Sequence, residues 1–546
     1  MISLKKITAH PQFVWLVFFT CWLTTALVYY PAHDAMLIDD GVNAIQDIQQ
    51  QGFNGLLHSY HFDSFYHGYY LILNVLYALF GLNATGWFFF FSLMHALNCA
   101  LLYKVIYRLL TTNRLSTHRL EISLFATLFF LLSPYNAETI VWAATTHYVV
   151  GLSILFYSIQ WLDSFLLKQS STNGYLLFLF LNVFALFTFE LNFLSPFIYL
   201  LLYALYTINK CTDIRFNTFV SRIVLPIVLA ILIYLMLLYI NKGTLMLHNG
   251  KGAILLPPMQ EIIAQYGRHL TRLFSFSQYA SIQWREQVYA ACEHWMIVSL
   301  VIVCMFTFFY YLARKKSIEA SRVFLFFFFI GFIFILPFTR VYFVYIFKYE
   351  NIRYTYFAAA FLLTGFVFFL FQINQLIRYI ILTVYLSLCL FFTIQTVNDK
   401  RESGIVYHRF IKSFPATSAS KIFLLNTPSF CNESYMFWDR SRLPIALSCY
   451  RHLDVSNQLE QVLFYNSISD KDTFKVKKIN DSCWTFQLKA DGSWLMDNYM
   501  GASDVENERF RCDVDEWGGY TLQFKKRLND DEDIIYFNGQ HFTSIK

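Results

Sequence analysis

Apolar runs of membrane-spanning length recur along the first four hundred residues, and no other feature restricts the fold as much. A helix needs about 20 mostly apolar residues to cross the hydrocarbon core. In lipid every backbone N–H and C=O must be paired within the spanning structure, which leaves helices or closed barrels. Runs at 13–30, 85–103, 120–134, 147–166, 175–188, 194–208, 223–241, 294–313, 323–338, 354–371 and 379–397 give eleven candidate spans. The first is too long and too aromatic for a signal segment and has no small-residue cleavage site after it, so it reads as an uncleaved helix. Residues 67–81 are apolar but short, and read as a re-entrant or interfacial helix. The chain is 57% hydrophobic and only 14% charged, against about 25% charged in soluble domains. A wholly soluble, disordered or coiled-coil chain is excluded.

The charges divide the chain in two. Residues 1–397 hold 23 Lys/Arg and 15 Asp/Glu, whereas the last 149 residues hold 19 and 21. A boundary near residue 398 follows, between a membrane domain (1–397) and a soluble domain (398–546). With the N-terminus inside, inner segments carry 15 of the membrane domain's Lys/Arg and outer loops carry eight. This is the asymmetry expected of cytoplasmic loops. An odd number of spans then places the tail outside. The first outer loop, 31–84, has no Lys or Arg at all. No basic run with interleaved aromatics suggests a nucleic-acid groove.

The tail reads as a small β-rich cap. Strand-like runs lie at Lys421–Leu425, Glu460–Tyr465, Phe474–Lys478, Trp484–Lys489, Tyr520–Lys525 and Ile534–Phe537. Turn residues such as Asn480-Asp481 and Asn538-Gly539 separate several of them. The ten cysteines form no C-x-x-C pair. Cys431, Cys449, Cys483 and Cys512 lie in the tail, and an outside tail could hold up to two disulfides.

The first outer loop is the chemical candidate. It carries Asp34, Asp39, Asp40, Asp47 and Asp63 with His33, His58, His61 and His67. Asp40–Gln51 places Val42, Ile45 and Ile48 at helical spacing, and Gly52 is a stop, so a juxtamembrane amphipathic helix is expected. Asp39 would then be its N-cap and Asp40 would sit in its first turn, favoured by the helix dipole. The alternative is a carboxylate serving as general base or metal ligand. Neighbouring helical residues point about 100° apart, so the two need not share one task. The histidines form no H-E-x-x-H pair. No cofactor is called for, and divalent-metal binding by the Asp-His loop stays open.

Several segments, in order, resemble the C-type membrane glycosyltransferases, and most closely the protein O-mannosyltransferase branch. Ile38-Asp39-Asp40 resembles the acidic motif of the first outer loop. His67–Arg108 is similar to the juxtamembrane helix, Phe-Gly-Leu-Asn turn and His-Ala-Leu-Asn helix that follow. Pro134–Trp142 resembles a Pro-x-x-x-Glu segment, Phe189-Glu190 stands at a Lys-Glu position, and Glu350–Tyr354 resembles a Glu-Arg-Tyr motif with two extra residues. His67 stands where a basic residue is usual, and the soluble tail takes the place of the helical repeats of some relatives.

The resemblance implies an all-α polytopic membrane domain in a bacterial inner or cell membrane, with the small β-rich tail read above lying outside. It implies a polyprenyl-phosphate sugar donor held in membrane lipid, and a hydroxyl acceptor on a protein, lipid or glycan. Asp39 or Asp40 is the candidate base. Arg353, Lys348 and Arg340 are the cations for the leaving phosphate, with Glu190, Glu350, Tyr354 and His67 as further substrate contacts. Snorkelling at helix ends is the alternative for Arg340 and Lys348. Arg268 and Arg272, i,i+4 on an amphipathic stretch, are further phosphate candidates or a solvated face. Rival functions are a transporter or flippase of lipid-linked glycans and a non-catalytic membrane subunit.

Overall fold

The computed structural model describes residues 11–52, 66–115, 117–243, 257–340, 345–349, 351–416, 418–467, 473–489, 493–496, 501–515 and 518–545. Glu350, His58, His61 and Asp63 lie outside the described residues. The helices used below are α1 (Pro11–Tyr29), α2 (Asp40–Gln51), α3 (His67–Phe80), α4 (Ala84–Thr112), α5 (Arg119–Leu131), α6 (Thr146–Leu166), α7 (Thr172–Leu186) and α8 (Ser195–Ile208). They continue with α9 (Leu225–Lys242), α10 (Met259–Ser275), α11 (Ile282–Glu293), α12 (Trp295–Lys316), α13 (Ile318–Ile335), α14 (Tyr356–Leu370), α15 (Gln375–Ser413) and, in the tail, α16 (Arg442–Arg451).

Every one of the eleven apolar runs is helical, yet they are not eleven equal spans. Among the described residues nine helices are long and apolar enough to cross a membrane. A tenth would be α5 joined to Pro134–Ile140 across a 51° bend. Pro134 explains the break, since proline lacks an N–H and disfavours helix in the residue before it. The remaining run, α7, has only 15 residues. At 1.5 Å per residue that is roughly 22 Å, short of a core about 30 Å thick. The 67–81 run forms α3, a 14-residue apolar helix.

Close approach and polar contacts hold the bundle together, because lipid tails provide no hydrophobic drive between helices. Gly365 on α14 lies under Phe328 of α13, and a Cβ there would sit 2.5 Å from that ring. Asn98 of α4 donates to Val149 O (2.9 Å) and the Tyr356 hydroxyl (3.2 Å), and accepts from Ser153 (2.8 Å). His95 Nδ1 lies 2.9 Å from the same hydroxyl. The His-Ala-Leu-Asn residues thus tie α4 to α6 and α14. Arg108, near the C-terminal end of α4, meets buried Asp163 of α6 at 2.5 Å.

Helix α15 has 39 residues, roughly 58 Å, far more than a bilayer core requires. The step in charge at 398 falls inside it, and the first strand begins only at Lys421. The tail holds β1 (Lys421–Cys431), β2 (Ser434–Tyr435), β3 (Leu459–Ser467), β4 (Thr473–Asn480), β5 (Cys483–Lys489), β6 (Trp494–Met496), β7 (Val505–Glu506), β8 (Phe510–Val514), β9 (Gly519–Phe524), β10 (Glu532–Phe537) and β11 (Phe542–Ser544). One sheet runs β11-β10-β1-β3-β6 with β2 paired to β1, and the other runs β4-β5-β9-β8-β7. β1 is parallel to both neighbours and buried on both faces, as a central parallel strand must be. Ile422 and Leu424 pack with Tyr407 and Phe410 of α15. Phe423 and Leu425 pack with Trp484 and Tyr520 of the second sheet. The disulfides that the tail could hold do not form: among the described residues no two cysteines are joined. The four in the tail are buried in its packing, where a free Cys behaves as a small hydrophobe.

Candidate functional site

The Ile38–Gly41 segment is a tight turn closed by Gly41 N–H donating to Ile38 O at 3.0 Å. Asp39 occupies its second position at φ 50°, ψ −121°, a conformation ordinarily taken by glycine. Holding a side-chain-bearing residue there costs about 1–3 kcal/mol and requires support from the surroundings. The support comes from the second loop. Trp142 Nε1 donates to Ile38 O (3.1 Å) and Ala143 N–H to Met36 O (2.9 Å). Helix α2 starts at Asp40 and ends at Gly52 as its spacing implies. The Asp39 side chain, however, caps nothing, so capping does not account for it.

The loop without a cation receives one from the tail. Arg442, the first residue of α16, reaches Asp40 at 2.8 Å and Asp39 at 3.5 Å. Tyr450 of the same helix donates to Leu37 O at 2.7 Å. Asp39 is only 5% exposed. Burial, and next the Asp40 carboxylate, hold its carboxyl well above the ordinary carboxylate range, with Arg442 acting in the opposite direction.

Arg353 faces this turn across Trp142. Its guanidinium lies 5.0 Å from the Trp142 ring and 4.6 Å from that of Tyr354. Its carboxylate partner is Glu138, at 2.7 Å from the side chain and 2.9 Å from the Arg353 backbone N–H. Among the described residues, Glu138 of the Pro-x-x-x-Glu segment is thus the carboxylate that Arg353 meets. One carboxylate binding both side chain and backbone fixes the entrance to α14. Glu138→Ala is expected to cost about 3 kcal/mol, the low end for a broken buried pair, because the guanidinium it strands is partly exposed. Thermal unfolding in detergent is the check.

Glu190 interrupts the apolar run where the chain breaks after α7, at a short turn Glu190–Leu194. It accepts a hydrogen bond from Tyr66 at 2.7 Å. Phe189 packs edge-on to His147 (4.6 Å) and at a tilt to Tyr148 (4.5 Å). Tyr148 in turn lies within the electrostatic reach of Arg353, Glu138 and Glu190. Asp39, Asp40, Arg353, Tyr354 and Glu190 are thus joined by one chain of neighbouring contacts that runs through Trp142 and Tyr148.

Other expected contacts fall elsewhere. Lys348 is held by Asp399 at 3.2 Å, and Arg340 is exposed. His67 starts α3 edge-on to Phe187 at 6.1 Å, and burial lowers its pKa, so it is no substitute for a cation at neutral pH. Arg268 and Arg272 are not a solvated face: they are 4% and 1% exposed. Arg268 meets Glu293 at 3.2 Å, and Tyr289 lies beneath both guanidinium groups.

Sequence reasoning missed Arg442, Trp142, Tyr435 and Lys400. Arg442 had no local signal, being one of 19 cations in an ordinarily charged domain. Tyr435 stacks near-parallel to Trp142 at 6.3 Å, a contact between segments three hundred residues apart. Among the described residues no group of three or more His, Cys, Asp or Glu side chains is placed to hold a metal ion. No protein-family model matches the chain, and no curated protein matches it.

Proposed function

We propose that this multi-pass membrane protein is a glycosyltransferase that moves one sugar from a polyprenyl-phosphate carrier to a hydroxyl acceptor at the outer membrane face. The observation that carries this reading is Asp39: a buried, strained carboxylate whose affinity for a proton is raised. A general base works best when its pKa lies near the operating pH. The acceptor O–H would give its proton to Asp39 as its oxygen bonds to the anomeric carbon. The bond from that carbon to the phosphate oxygen breaks, and its electron pair leaves with the phosphate. A single such step inverts the anomeric centre. Arg353 is the cation beside the site suited to the developing phosphate charge, since a guanidinium offers paired donors to phosphate oxygens.

The Arg442 clamp supports a second reading, a non-catalytic subunit whose carboxylates serve only to dock the tail. Purified protein incubated with labelled polyprenyl-phosphate sugars separates the two. Transfer that is lost in Asp39→Asn supports the enzyme, whereas transfer untouched by both Asp39→Asn and Asp40→Asn refutes the site. The proposed orientation has its own test. Lys475→Cys, on the exposed face of β4, should react with an impermeant maleimide in intact cells. Reaction only after lysis would reverse the topology.

A further inference from the structure

Lys400 lies on α15 just past the last apolar run, and it is only 6% exposed. Its neighbours on the same helix face set its direction. Thr396, one turn earlier, meets the Tyr279 hydroxyl at 2.7 Å. Ser403, one turn later, donates to Tyr435 O at 3.3 Å, and Tyr435 is the ring stacked with Trp142. Lys400 therefore points toward the region of Arg353 and Trp142. Its ammonium lies 5.9 Å from the Tyr349 ring centre. Among the described residues it makes no ion pair and donates no hydrogen bond.

The charged groups acting on Lys400 are Glu138, Arg353 and Asp399. Both carboxylates are already engaged. Glu138 binds the side chain and backbone of Arg353. Asp399 binds Lys348 and the Tyr349 hydroxyl. Three cations thus share two anions. An ammonium held within the packing without an anion is costly, and a lysine at the end of a span ordinarily snorkels to bulk water to avoid that cost. The Lys400 side chain is instead enclosed, at 6% exposure. Arg353 has donor capacity to spare, since its guanidinium carries five N–H groups and spends one on Glu138 and one on Tyr354.

We propose that Lys400 and Arg353 together form an anion site that receives a phosphate ester, here the phosphate of the lipid-linked donor. The assignment to the donor rests on the glycosyltransferase reading. The anion site itself rests only on the unmatched charge and its placement.

The test measures binding separately from turnover, on the full-length protein in nanodiscs of zwitterionic lipid. The probes are polyprenyl phosphate, the neutral polyprenol and inorganic phosphate. Lys400→Met should weaken polyprenyl phosphate binding at least tenfold and leave polyprenol binding unchanged. Lys400→Arg should retain it within a few-fold. The unliganded Lys400→Met protein should unfold at the same temperature as wild type or higher, an outcome that a merely structural lysine would not give. Lys400→Gln is the second variant should Lys400→Met not fold. Wild-type affinity in the Met and Gln variants would overturn the site. Saturable binding of inorganic phosphate without binding of polyprenyl phosphate would overturn its assignment to the donor. Lysine-dependent phosphate binding with no transfer from any donor would retire the glycosyltransferase reading and keep the site. Asp39-dependent transfer that ignores Lys400 would do the reverse.

Discussion

Asp39→Asn is expected to lower sugar transfer by roughly 100- to 10,000-fold, the range ordinarily due to a general base, while leaving the protein at least as stable as wild type. The two halves of this prediction have one cause. Burial and the adjacent Asp40 hold the Asp39 carboxyl above its ordinary range. A carboxyl whose pKa is raised in the folded state binds protons more tightly folded than unfolded. Stability is therefore lost as pH rises from the ordinary carboxylate pKa through the raised one. Asparagine removes that penalty, keeps the shape, and tolerates positive φ better than most residues. Its stabilising effect should be absent near pH 4 and grow toward pH 8, read as the difference in Tm between variant and wild type. Asp40→Asn should act differently. Asp40 is partly exposed and raises the pKa of Asp39, so its removal should move the acid limb of activity to lower pH and leave turnover largely intact. An Asp39→Asn protein with full turnover, or one destabilised equally at all pH values, would mean that Asp39 is structural.

What could be read from the sequence was what depends on neighbours in the chain. The apolar runs became helices, α2 stopped at Gly52, and the six strand-like runs of the tail became β1, β3, β4, β5, β9 and β10. Each of these is a local period or a local stop signal. Span length was harder to read, because a break inside an apolar stretch leaves little trace in composition. α7 ends four residues before Glu190, and a run of span-like composition is a 15-residue helix. The parallel placement of β1 between β3 and β10 was not legible, since the β10 partners lie 111 residues away. The same reason hid the partners at the site. Asp39, Glu190 and Arg353 stood out as charges in apolar or unbalanced surroundings. Which partner each one meets depends on the fold: Glu138 for Arg353, Tyr66 for Glu190, and an arginine four hundred residues on for Asp39.

That arginine makes the second large effect. Arg442→Gln should move the acid limb of kcat/KM to higher pH, because Arg442 opposes the burial and the Asp40 charge that raise the Asp39 pKa. If the limb moves up by about one on the pH scale, ionised Asp39 falls about tenfold at every pH below it. Activity at pH 6 should therefore fall by up to about tenfold, while activity at high pH recovers. Arg442→Lys should restore the limb only in part. A guanidinium fork can face Asp39 through Nε and Asp40 through Nη2 at once, as it does here at 3.5 and 2.8 Å, whereas an ammonium is a single point of charge. The pH profile is the decisive measurement, since loss of tail docking alone would lower activity evenly across pH. A rise in activity at every pH in Arg442→Gln would carry the opposite meaning. It would show that the tail holds Asp39 away from the acceptor, and that the bound arginine has to move before the carboxylate can accept a proton.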